Sequence, residues 1–97
     1  MALNYDTEIY RLLVFAGARG LRVKTIARAV FNASNSFFAP LDYDDVYEYC
    51  RGFLRRKAAS ASSPIEHTGV RGYYRLRKHC EASRQLMLQF KEDEESE

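Results

Sequence analysis

IEHTGVRGYYRLR, residues 65–77, breaks the helical spacing that governs most of the chain. Ile65 to Thr68 and Tyr73 to Arg77 are short runs with β-branched and aromatic residues, separated by a turn around Gly69 to Gly72. The spacing predicts a β-hairpin. Because strand side chains alternate, Tyr74 and Leu76 belong to one face, and Tyr73, Arg75 and Arg77 to the other.

Upstream, the pattern is helical. Asp42 can cap a helix reaching about Lys57, with Val46, Tyr49, Cys50, Phe53 and Leu54 on its apolar stripe. Asp44, Glu48, Arg51 and Arg55 form the opposite side, and this order of acidic then basic residues suits the helix dipole. Residues 57–63, with AASASS at their centre, read as a linker. Before them, Leu21 to Phe31 places Val23, Ile26, Ala27, Val30 and Phe31 on one helix side and Lys24 and Arg28 on the other. Asn32 to Pro40 reads as a long turn in which Phe37 or Phe38 buries a ring.

The first helix is expected to start at an Asp6 or Thr7 cap, to carry Ile9, Leu12, Leu13 and Ala16 inward, and to stop at Gly17 to Gly20. Val14 and Phe15 widen its apolar face. Downstream, Cys80 to Glu95 reads as a fourth helix with Ser83, Leu86, Met87 and Phe90 on its stripe, ordered only in its first part. The division is therefore residues 1–78 as one domain, 79–91 as an added C-terminal helix, and 92–97 as an acidic, disordered tail. The fold class is α+β and mainly helical.

Three helices followed by a hairpin is the order of a winged helix. The segment GLRVKTIARAVF (20–31) resembles the second helix of that superfamily, entered by a short strand through Leu21 and Arg22, and PIEHTGVRGYYRL (64–76) resembles its wing. The resemblance covers roughly Thr7 to Lys78. The turn from Asn32 to Leu41 exceeds the three or four residues of a compact helix-turn-helix. In this superfamily the third helix enters the DNA major groove and the wing touches backbone or minor groove, which the resemblance would carry over to this chain.

Charge distribution points the same way. Residues 51–78 hold eight Lys or Arg against Glu66 alone, while the whole chain has a net charge of only +2. Such a stretch attracts polyanions, because Lys and Arg neutralise phosphates and release counterions. The expected DNA-binding residues are Lys24, Arg28, Arg51, Arg55, Arg56, Arg71, Tyr73, Arg75 and Arg77. Asp42, Asp44, Asp45 and Glu48 at the start of the third helix oppose phosphate, so the wing and the C-terminal half of that helix should carry binding. The expected role is a small transcriptional regulator or accessory DNA-binding protein. The alternative is a protein-interaction module on the same scaffold.

Other classes find less in the sequence. The longest apolar run, Leu12 to Ala16, is far below the roughly 20 residues of a membrane span, so a cytoplasmic protein without membrane partners is expected. Cys50 and Cys80 are too few for a disulfide framework. Cys50, His67, His79 and Cys80 lack paired zinc-ligand spacing, so no metal or cofactor is expected, and no catalytic group is found. The apolar surfaces of the first and last helices suit either one intramolecular interface or a homodimer. The terminal EDEESE can fold back on the basic wing or stay solvated.

Overall fold

The computed structural model describes residues 5–35, 40–78 and 80–95. Its elements are α1 (Tyr5–Ala16), a 3₁₀ turn (Gly17–Arg19), β1 (Leu21–Arg22), α2 (Val23–Ser34), α3 (Tyr43–Ala59), β2 (Ile65–His67), β3 (Tyr73–Leu76) and α4 (Glu81–Glu95). The class is α+β and mostly helical. The expected hairpin forms, with Ile65 opposite Leu76, Glu66 opposite Arg75 and His67 opposite Tyr74. β1 pairs with the other edge of β3, so the sheet has three antiparallel strands in the order β1-β3-β2.

Periodicity explains the core. Ile9 and Leu13 of α1, Ile26 and Val30 of α2, and Val46, Cys50 and Leu54 of α3 recur at helical spacing and are almost fully buried. Ile65, Tyr74 and Leu76 close this core from the sheet, while Phe90 of α4 closes it beside α1. Asp42 caps α3 as expected, its carboxylate accepting from the Asp44 N–H at 2.9 Å.

Several boundaries differ from expectation. Asp6 and Thr7 lie inside α1 instead of capping it, and the Asp6 carboxylate accepts a hydrogen bond from the Tyr49 hydroxyl. α2 runs on to Ser34, and α3 continues through Ala58 and Ala59, alanines that propagate a helix readily. Tyr49, expected on the buried stripe, is 39% exposed because its hydroxyl reaches across to Asp6. Phe15 is 51% exposed while its neighbour Val14 is buried, so the second apolar surface of α1 is narrower than the sequence suggests. α4, by contrast, runs over Glu81–Glu95, close to the helix expected over Cys80 to Glu95. The burial of Phe37 or Phe38, the place of His79 and the fold-back of the acidic side chains at the end of the chain lie outside the described residues. Among the described residues no helix is long and apolar enough to cross a membrane.

Candidate functional site

α2 begins without a side-chain cap. Its N-cap residue, Arg22, is extended at φ −75° and ψ 150° and has no side-chain oxygen to offer. The otherwise orphaned Val23 N–H donates instead to the Gly72 carbonyl at 3.0 Å. This bond docks the hairpin turn on the start of α2.

The turn is shaped by its own residues. Gly69 and Gly72 take φ of +96° and +80°, where a glycine has no Cβ to strain. The Gly69 N–H donates to His67 Nδ1 at 3.0 Å, and the Val70 N–H to Thr68 Oγ1 at 3.1 Å. Thr68 N–H to Tyr73 O at 3.1 Å and Tyr73 N–H to Val70 O at 3.0 Å complete it. Arg71 is thereby held near α2.

On the other side, Tyr47, Arg51 and Arg55 of α3 are each four residues apart and stack along one helix face. Arg22, Lys24, Arg51, Arg55 and Arg71 line one hollow of ≈ 460 Å³, together with Val23, Tyr47, Gly72 and Tyr74. Arg51 approaches Glu48 at 3.7 Å with both side chains well exposed, a pairing worth about 0.3–0.5 kcal/mol. Among the described residues, Arg22, Lys24, Arg55 and Arg71 are in no ion pair. Like charge gathered in a concave surface focuses a positive potential and concentrates anions.

The hollow collects Lys24, Arg51, Arg55 and Arg71 from the residues singled out by sequence. Arg28 lies one turn further along α2, its guanidinium carbon 4.4 Å from the centre of the Tyr43 ring. Arg56 lines a different hollow with Gly52, Arg55 and Ala59, on the side of α3 that carries Tyr49.

The sheet arginines are committed elsewhere. Arg75 Nε donates to Glu66 Oε2 at 2.8 Å across β2 and β3, and its Nη1 reaches the Ala18 carbonyl at 3.3 Å. Arg77 donates to the carbonyls of Ser63 (2.6 Å) and Ser60 (3.0 Å), tying the end of β3 to the end of α3. Tyr73 is half-buried opposite Arg22 in the register of β1 and β3. Arg22 itself, and Tyr47, are site residues that the sequence reading passed over. Nothing in the local pattern marks Arg22, because its place depends on the contact between Val23 and Gly72.

The two thiols differ sharply. Burial pushes Cys50 up to about 11. Cys80 is shifted downward, chiefly by the Ser83 backbone N–H and then by the Ala82 N–H, the Ser83 hydroxyl and the Arg77 charge, which together outweigh its partial burial. Since the thiolate is the nucleophile, iodoacetamide at pH 8 should label Cys80 in the folded protein and Cys50 only after denaturation. Mass spectrometry of the labelled peptides checks this, and equal labelling of both would contradict the buried position of Cys50. Among the described residues no three His, Cys, Asp or Glu side chains are grouped to hold a metal ion.

Fold and site together define a small α+β chain with a concave cationic face built from two helices and a hairpin turn. No family model, no curated protein and no solved structure matches the chain.

Proposed function

We propose that the chain is a winged-helix domain that binds double-stranded DNA, acting as a small transcriptional regulator or accessory DNA-binding protein. The element order supports the fold: three helices, a hairpin after the third, and a short strand before the second that completes the sheet. The observation that carries the function is the hollow itself, where Arg22, Lys24, Arg51, Arg55 and Arg71 converge from β1, α2, α3 and the hairpin turn. Arg22 and Lys24 come from β1 and the first turn of α2, Arg71 from the hairpin turn, and Arg51 and Arg55 from the middle and C-terminal half of α3, so that, among the described residues, Arg51 alone of the five approaches an acidic residue of that helix.

Phosphate neutralisation fixes what should be measured. If these five cations each engage one phosphate, log K should fall against log salt with a slope of about −4.5, which is roughly 500-fold between 50 and 200 mM salt. Titrating a labelled mixed-sequence duplex over that range tests it, alongside the variant Lys24→Ala/Arg55→Ala/Arg71→Ala. The variant should lose most of the affinity and about three units of the slope. Arg84→Ala, an exposed α4 position outside the hollow, should bind as the parent does. Absence of binding at low micromolar protein and low salt would overturn the reading.

A further inference from the structure

We propose that this face holds a DNA duplex by its phosphodiester backbone alone, without base readout, along a track that continues from the hollow past Lys24 to Arg28. The inference deepens the DNA-binding reading and rests on it. A second, shallower hollow of ≈ 410 Å³ adjoins the first, with Arg22 and Lys24 on the rim of both and Arg28, Asn32 and Tyr43 beyond. Lys24 and Arg28 lie four residues apart on α2, about 6 Å along its axis. Stacking on Tyr43 restrains the Arg28 guanidinium before any ligand arrives, while leaving its edge N–H groups to donate.

The acidic start of α3 sets how the duplex can lie. Groove-reading helices place their N-terminal residues against base edges. Here Asp44, Asp45 and Glu48 are all exposed, and Glu48 already competes with phosphate for Arg51. Carboxylates inserted into a groove would stand between two rows of phosphates. The duplex therefore meets α3 over its C-terminal half, and the base edges stay out of reach.

The aromatic rings argue for paired over unpaired strands. Proteins that hold single strands stack the bases on open aromatic faces. Tyr74 is buried, Tyr47 is half-buried, and the ring of Tyr43 is covered by Arg28. Among the residues lining the two hollows no ring is fully open, whereas a duplex offers twice the phosphate density of a single strand.

The test measures dissociation constants of the full chain over a salt series for duplexes of about 24 bp, of mixed, A·T-only and G·C-only sequence, and for a single strand of equal length. Arg28→Ala and Asp44→Asn/Asp45→Asn/Glu48→Gln are measured beside the parent, with thermal unfolding to confirm that each is folded. The duplexes should agree within about threefold, and the single strand should bind at least about tenfold more weakly. Arg28→Ala should lower the salt slope by about one on every duplex. The carboxylate variant should bind several-fold more tightly at low salt, still without sequence preference. A preference above about tenfold for one duplex, equal binding of the single strand, or an unchanged slope for Arg28→Ala would each overturn the proposal while leaving DNA binding in place. Failure to bind any duplex would remove the underlying reading as well.

Discussion

Gly20→Ala is expected to destabilise the protein by about 3 kcal/mol or more, the sum of a backbone strain of about 1–3 kcal/mol and a steric conflict. Gly20 has φ +74°, a region that L side chains seldom enter. A Cβ built there lies 2.4 Å from the Tyr74 carbonyl oxygen, closer than real contacts allow, and a tight 3.0 Å from its carbon. Both atoms are backbone of the central strand, so no side chain can turn aside. β3 would have to move, and that motion would draw the Gly72 carbonyl from the Val23 N–H and loosen the cationic hollow. Gly69 and Gly72 also have positive φ, yet a Cβ on either meets nothing within 4 Å, so alanine there should cost only the strain of about 1–2 kcal/mol. Urea unfolding followed by circular dichroism measures the difference. A loss at Gly20 no greater than at Gly69 would mean that β3 does not approach so closely.

Leu54→Ala should cost about 2–5 kcal/mol, a large part of the stability of a domain of this size. Leu54 is fully buried in the core that α3 shares with α2 and the sheet, so its removal loses transfer free energy and leaves a cavity. Its melting temperature should fall by about 4–8 °C for each kcal/mol lost. Leu88 of α4 is 64% exposed, and Leu88→Ala should shift stability by no more than about 0.5 kcal/mol. Thermal unfolding of the two variants side by side checks the contrast, and equal losses would contradict the burial of Leu54.

Spacing puts Leu54 on the apolar stripe of α3 and leaves Leu88 off the α4 stripe of Ser83, Leu86, Met87 and Phe90, in line with the burial of each. At the site, spacing decides less. Spacing places Arg51 and Arg55 on one side of α3 and Lys24 on the outer side of α2, and all three reach the hollow. Alternation along β3 puts Arg75 and Arg77 on the outer face, where they pair with Glu66 and with backbone carbonyls instead. Charge counted along residues 51–78 treats these arginines alike, because a count carries no information about which partner each guanidinium meets.

Local order was decided within the chain's own neighbourhoods. The four helices follow from the recurrence of apolar residues, the start of α3 from Asp42, and the hairpin from glycines at 69 and 72 between alternating strands. The presence of each helix and of the turn depends on residues a few positions apart, whereas the ends of the helices do not: α2 and α3 run past their expected limits, and the first N–H of α2 is satisfied by Gly72 of the hairpin. The pairing of β1 with β3, the close passage of Gly20 by Tyr74, and the docking of Gly72 on Val23 join residues about fifty positions apart. Those contacts form only when the core closes, and they decide that Arg22 and Arg71 share a surface with Lys24 and Arg55 while Arg75 and Arg77 hold the sheet together.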